Sequence, residues 1–313
     1  CDVPEQAVIP LTTTKTTYEV PLLLEKRNLG AYLVDKLQLH DKYKSPDWSE
    51  WNELIKSVYN QADTLHIAIV GKYIELEDAY ISIKEALRHA GSEQSHNIEI
   101  SWIQSSTLEA RNTNDLLQNC DGVIVPGGFG ERGVEGKIAA AHWARTSKVP
   151  YLGLCLGMQV MCIEFARFLL GTNDANSTEF NKDTSNPVID LMPNQRNIRE
   201  MGGTMRLGVY PCMLVPGTRA SEAYGKPDNS HVSERHRHRF EFNNEYRQIF
   251  TENGMVFSGL SPNEDLVEIA ELSDHPFMLG SQFHPEFISR PNRPHPLFSA
   301  FVKAAAKTKL STG

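Results

Sequence analysis

The sequence predicts an α/β fold, a mostly parallel sheet with helices on both faces, from three observations. Several short apolar runs are continuous rather than alternating, as strands buried on both faces are. Stretches with helical apolar periodicity separate them, and glycines punctuate the junctions. Leu65 to Val70 is the first such run and ends at Gly71. Ala79, Ile83, Ala86, Leu87 and Ala90 form a helical stripe that Gly91 closes. Ile98 to Ile103 and Gly122 to Val125 supply the second and third strands, and Ile138 to Ala144 belongs to a helix. Tyr151 to Leu154 is a fourth strand, feeding a helix over Met158 to Leu170.

The flanks read differently. In residues 1 to about 62, Thr12 to Thr17 has strand-like composition, Leu22 to Leu37 carries a helical stripe, and Lys42 to Trp51 reads as a linker before a short helix to Tyr59. No compact core is evident there, so the segment reads as an adapter. Residues 171–202 are rich in Asn, Asp, Ser, Thr and Pro and predict a long loop. Short strand-like runs come next, at Met205 to Val209, His238 to Phe242, Val256 to Ser258, Leu266 to Ala270 and Met278 to Phe283. A terminal helix is expected from Pro296 to Ala306, with 307–313 a mobile tail.

Composition excludes several classes. The 313 residues are 40% hydrophobic and 22% charged, ordinary for a globular protein long enough to bury a core without staples. A formal charge of -8 argues against a dedicated nucleic-acid or anionic-membrane binder. The 5 cysteines, an odd number without a C-x-x-C pair, read as reduced thiols in a cytosolic protein rather than a disulfide framework or a zinc site. Val149 to Leu170 is largely apolar, yet Gln159, Glu164, Arg167 and two glycines make it a strand, turn and helix rather than a membrane span. The N-terminus, Cys1-Asp2-Val3-Pro4-Glu5, lacks an initiator Met and a signal pattern, and reads as the start of a fragment.

The strongest chemical signal is Gly153-Leu154-Cys155-Leu156-Gly157, the cysteine form of the nucleophile elbow. A sharp strand-to-helix turn exposes one side chain at the carboxyl end of the sheet, and the helix N-terminus favours thiolate. A buried cysteine in a Gly-rich turn is the competing reading of the motif alone. Cys162, on the same helix without glycine framing, reads as a core thiol. A cysteine nucleophile needs a base and the base an orienter. In Gln282-Phe283-His284-Pro285-Glu286, extended backbone puts His284 and Glu286 on one side. Val125-Pro126-Gly127-Gly128-Phe129-Gly130 comes directly after the third strand, where backbone N–H groups can meet a substrate oxyanion together with the amide of Leu156. Walker A spacing fails there, because Glu131 stands at a required glycine and Ile138 follows Gly136-Lys137. Arg235-His236-Arg237-His238-Arg239 leaves three readings: a solvated charged strand, a nucleic-acid patch, or arginines on one face that bind a carboxylate.

These motifs, with Gly127 to Lys137, Gly202 to Gly208, Glu234 to Arg239 and Gln282 to Phe287, resemble the class I, triad-type glutamine amidotransferase domain of the CTP synthase family from about Leu65 to Ala305. Tyr18 to Glu25 is more weakly similar to the segment that closes that family's synthetase domain. The resemblance implies a flavodoxin-like, mostly parallel central sheet plus a smaller antiparallel strand region. It implies residues 1–62 as the tail of a synthetase domain with a linker, and 63–306 as the glutaminase domain.

For the chemistry, it implies that Cys155 attacks L-glutamine, His284 shuttles the proton, Glu286 orients it, and Gly128 and Leu156 supply oxyanion N–H groups. Glutamine is then held by Gly127, Gly128, Phe129, Gln159, Glu179 and Arg239. The ammonia released serves a synthetase domain, absent here, that aminates UTP with ATP and Mg²⁺ in a cytoplasmic homotetramer. GTP activates the family's glutaminase, and Arg132, Thr204 and Arg206 are the candidates for that response; no metal, nucleic acid or membrane is expected in this portion. Phe240 stands where the family commonly has Tyr. A stand-alone γ-glutamyl hydrolase or peptidase of the same fold, and a non-catalytic regulatory module, are the alternatives. Glu179 and Arg239 oppose the first by clamping both charged ends of free glutamine, and the intact triad opposes the second.

Overall fold

The structure is a computed structural model and describes residues 2–42, 44–61, 63–191, 205–226 and 230–312. The chain divides into two compact units, Cys1–Asn60 and Gln61–Gly313. The first holds α1 (Val20–Lys26), α2 (Leu29–Lys36) and α3 (Ser49–Tyr59). Thr12 to Thr17 form no strand; Thr16 instead accepts from the backbone N–H of Tyr18 to start a short 3-10 turn. Trp51 meets Tyr18 edge-on at 6.3 Å and donates its indole N–H to the Tyr18 carbonyl oxygen. Leu54 is the buried apolar side chain among the described residues of this unit.

The second unit contains β1 (Asp63–Gly71), β2 (His96–Gln104), β3 (Gly122–Val125), β4 (Tyr151–Leu154), β5 (Ala175–Ser177) and β6 (Asn186–Leu191). It continues with β7 (Arg206–Leu214), β8 (His231–His238), β9 (Phe240–Phe242), β10 (Met255–Leu260), β11 (Val267–Leu272) and β12 (Met278–Ser281). One sheet runs β2-β1-β3-β4-β12-β11-β10-β7-β8. Its members pair in parallel from β2 to β12 and antiparallel from there to β8. A small sheet, β5-β6-β9, takes its first two strands from the segment expected to be a loop. The polar composition of residues 171–191 hides two strands whose residues are only half committed to the core.

The helices are α4 (Ile81–Glu93), α5 (Ser105–Ala110), α6 (Thr113–Leu117), α7 (Val134–Ser147), α8 (Leu156–Leu170), α9 (Arg219–Ala223), α10 (Arg247–Glu252) and α11 (Pro296–Thr312). The two-sided burial of the strands follows from their alternation. Leu65, Ile67 and Ile69 pack with Ile83 and Leu87 of α4 and Phe298 and Phe301 of α11. Ala68 and Val70 face the other way, toward Ile138 of α7 and Met158 and Phe165 of α8.

Two boundaries differ from expectation. Gly91 does not end α4; a Cβ there would lie 2.6 Å from Ile98, so glycine serves close packing of the helix on β2. Ser95, at φ 59°, makes the left-handed turn instead. The last helix continues through Thr312, past the expected tail at 307, and Lys309 ties it down by donating to the Thr64 carbonyl oxygen at 2.6 Å.

The carboxyl ends of β3 and β4 interlock. A Cβ on Gly157 would sit 2.0 Å from the Val125 carbonyl oxygen, and one on Gly153 would sit 2.5 Å from the Gly157 carbonyl carbon. Gly157→Ala should therefore lower stability in urea unfolding by more than the ~1–3 kcal/mol of ordinary overpacking. Gly171→Ala is the control: nothing lies within 4 Å of its Cβ, and its φ of 61° should cost only about 1–2 kcal/mol. Equal losses in the two variants would contradict the interlock.

Candidate active site

Cys155 occupies the turn between β4 and α8 at φ 51° and ψ -101°, a conformation L-residues rarely adopt. Its N–H donates to the Ser281 carbonyl oxygen at 2.7 Å, and its carbonyl accepts from Gln159 N in the first turn of α8. The elbow is thus pinned to the end of β12, the strand that leads to His284. His284 N in turn donates to the Arg235 carbonyl oxygen at 2.8 Å. Pro285 opens a 3-10 turn, Pro285–Phe287, that carries Glu286 back to the imidazole.

His284 Nδ1 and Glu286 Oε1 are 2.8 Å apart, and Glu286 is buried. That bond assigns the Nδ1–H tautomer and leaves Nε2 for Cys155. Burial by itself would depress the imidazole, but hydrogen bonding and charge from Cys155 and then Glu286 overcome it and raise His284 to about 10. Phe287 stacks over the ring at 5.3 Å. Cys162, by contrast, is a fully buried thiol that burial pushes up to about 12, as a core cysteine should be.

A cleft of about 210 Å³ is lined by Gly127, Gly128, Phe129, Cys155, His284 and Glu286, so these predicted residues converge. Leu156, the other oxyanion candidate, is buried at the first position of α8. Gln159 is also buried, and its Nε2 donates to the Phe240 carbonyl oxygen at 3.1 Å and to Gln282 Oε1 at 3.2 Å. Glu179 accepts from Gly130 N at 3.0 Å, bracing the loop after Phe129. Burial pushes the Glu179 carboxyl up, against the Gly130 hydrogen bond and the charges of Arg239 and Lys72.

The Arg-His run resolves by alternation. In β8, Arg235 and Arg237 face out while His236 and His238 are buried. Burial foremost drives His236 down to about 2 and His238 to about 3, so both rings are neutral core groups. Arg237 lines the cleft, its guanidinium 5.7 Å from the Phe129 ring centroid. Arg239 comes after the strand, beyond its last buried residue. Arg206 is not a surface cation, as a nucleotide-responsive residue would be. It is buried with Nη2 2.8 Å from Glu268 and Nη1 3.3 Å from Glu241, an ion cluster in the core. Thr204 lies outside the described residues. Arg132 is exposed on the loop, 5.7 Å from the Tyr73 ring centroid.

Sequence reasoning missed Gln282 and Lys72. Gln282 Nε2 lies 3.7 Å from the Cys155 sulfur, at a bend just past the end of β12, and no periodicity in the sequence marks it. Lys72 Nζ donates to the Phe129 carbonyl oxygen at 3.1 Å and clamps the glycine loop; no spacing in the sequence marks it.

A strained cysteine elbow on an α/β sheet, with an imidazole and carboxylate behind it, is the arrangement of a nucleophile with its base and orienter. The profile of the class-I glutamine amidotransferase family matches residues 75–304, and the chain belongs to that family. It is similar to the CTP synthase of Chloroflexus aurantiacus, 58% identical over 310 residues, which cover 99% of this chain and 56% of that protein. It is also similar to the CTP synthase of Dehalococcoides mccartyi, 54% identical over 308 residues, or 98% of this chain and 56% of that protein. The chain spans about half the length of the curated relatives it matches. Among solved structures, the glutaminase domain of Trypanosoma brucei CTPS, with bound acivicin, superposes with a TM-score of 0.73 at 40% identity, covering 78% of this chain and 94% of that one.

The folded His284 value lies above its ordinary 6.5, so its contribution to stability is complete below about 6.5 and is lost as pH rises through about 10. A proton NMR titration should find the ring protonated up to about 10, and Cys155→Ala should move that midpoint down. A midpoint near 6.5 in the unmutated chain would contradict the Cys–His–Glu coupling.

Proposed function

We propose that this chain is the glutaminase portion of a CTP synthase, hydrolysing L-glutamine to glutamate and ammonia through a γ-glutamyl thioester. The observation that carries the proposal is the convergence of Cys155, His284 and Glu286 with Gly127, Gly128 and Phe129 on one cleft. The Cys155 thiolate attacks the side-chain amide carbon, and the carbonyl electron pair moves onto oxygen. The N–H groups of Gly128 and Leu156 meet that oxyanion. As the tetrahedral carbon collapses, the C–N bond breaks and His284 Nε2 delivers its proton to the leaving nitrogen, releasing ammonia. Water then attacks the thioester, His284 takes a proton from it, and the C–S bond breaks to return the thiolate. Glu286 holds the ring tautomer throughout and does not take the proton.

Substrate recognition in this proposal uses Arg239 for the glutamine carboxylate and Glu179 for its ammonium, with Gln159 buttressing the cleft from below. The ammonia passes to a synthetase domain that aminates UTP with ATP and Mg²⁺. Among the described residues no group of three or more His, Cys, Asp or Glu side chains is placed to hold a metal ion, and ATP and Mg²⁺ belong to that other domain. Tyr18 to Glu25 and the rest of residues 1–62 are read as the end of that domain and its linker. The GTP response rests on Arg132, since Arg206 is committed to its carboxylates. The working assembly is taken as a cytoplasmic homotetramer; no helix among the described residues is long and apolar enough to cross a membrane.

The test is ammonia release from glutamine, measured with and without GTP and an added synthetase half. Cys155→Ala should abolish release, and Glu286→Gln should lower kcat by as much as about 10⁴-fold, the cost of a wrong tautomer in a comparable triad. No release in any combination would overturn the enzymatic reading. Faster cleavage of γ-glutamyl peptides than of glutamine would replace it with a γ-glutamyl hydrolase.

A further inference from the structure

Lys137 is the anomaly of this site. It lies in the first turn of α7, shortly after the glycine loop, and only 1% of its surface is exposed. Among the described residues no hydrogen bond or ion pair to its ammonium is found, whereas the other deeply buried cation of the domain, Arg206, sits between two carboxylates. A Cβ placed on Gly128 would lie 3.3 Å from Lys137 Nζ and 3.5 Å from Leu156 Cδ2. The ammonium therefore stands immediately behind Gly128, in a spot walled by Leu156, and these are the two residues assigned as oxyanion donors.

The surroundings make a cation costly there. Burial comes first, and the charge of Lys72 adds to it; Cys155 is the one group that favours the charged form, and together they bring Lys137 down to about 8. The N-termini of α7 and α8, both at this loop, add partial positive charge. A buried ammonium without a carboxylate ordinarily lowers stability, because the water it loses is not replaced. A methionine would fill the same volume without that cost. The charge of Cys155 compensates the ammonium in part, and an anion that exists only while the enzyme works would compensate it further.

We infer that Lys137 is a positioning residue of the glutaminase site, a buried cation behind the Gly128 peptide that holds the two oxyanion donors in place and biases their field toward the negative tetrahedral intermediate. The inference rests on the glutaminase reading above. Fixed charge of this kind acts on the transition state more than on bound substrate, because the amide oxygen is negative only after attack. No proton or electron is transferred by Lys137; it acts through the loop.

Two neutral variants test it, Lys137→Met and Lys137→Gln, each compared with the unmutated chain by thermal melting and by glutaminase kinetics. The expected result is a melting temperature equal to or above the parent's, kcat lower by about 10- to 100-fold, and KM for glutamine within about threefold, on the scale of one lost oxyanion donor or somewhat less. A folded variant with kcat within about twofold of the parent would overturn the inference. So would a loss carried by KM, which would make Lys137 a substrate ligand, or a lower melting temperature in both variants, which would make it structural. A parent chain without glutaminase activity would remove the underlying reading itself, whereas an active parent with equally active variants removes this inference alone.

Discussion

Between the Val125 carbonyl oxygen and the α-carbon of Gly157 there is no room for a side chain, and the active site hangs on that contact. It draws the N-terminus of α8 against the end of β3, so β4 has only one residue, Cys155, in which to reverse into a helix. The reversal forces φ to 51°, and the backbone bond from Cys155 N to Ser281 O holds it there. From this point the other parts take their places. The glycine loop leaves β3 beside the elbow, and β12, paired in parallel with β4, ends where His284 must begin. One steric constraint at the sheet's carboxyl edge thus sets Cys155, the glycine loop and His284 within a single cleft.

Charge is distributed around this frame in two different ways. Away from the cleft it is neutralised: Arg206 faces Glu241 and Glu268, and Arg145 Nη2 lies 2.7 Å from Glu164. Around Cys155 the imidazole of His284 is paired with Glu286, and Lys137 is the cation left without a carboxylate partner among the described residues. Two helix N-termini converge on the same place. The core clusters resemble ordinary structural ion pairs, which contribute little net stability but would be costly to break.

Much of this was legible in the chain. The continuous runs at Leu65 and Tyr151 gave the parallel strands because burial on both faces leaves no polar alternation to read. Cys155 was marked by the glycine framing an elbow demands; His284 and Glu286 were paired on the expectation of extended backbone, whereas a 3-10 turn over Pro285–Phe287 is what brings Glu286 to the imidazole. Weaker signals failed for identifiable reasons. β5 and β6 contain Asn, Ser and Asp, whose side chains bond locally, and a Pro that lacks a backbone N–H, and together these mask a strand. Gly91 looked like a helix stop because its actual purpose, contact with Ile98, is a tertiary one. The burial of Arg206, a candidate for the GTP response, was not legible because its two carboxylates come from β9 and β11, far along the chain.

By itself, the sequence determined the parallel α/β core and the elbow, and it named Cys155, His284 and Glu286 as a candidate triad, since these depend on spacing within short segments and on the periodicity of burial. Tertiary structure decided which charges are exposed and which are paired. It turned Arg237 into the cleft, spent Arg206 in the core, placed the amide of Gln282 against the sulfur, and set Lys137 beside Gly128. The reason is physical: a charged side chain is read the same way in sequence whether or not a partner waits for it. The partner is supplied by strands and helices that meet only when the sheet has formed.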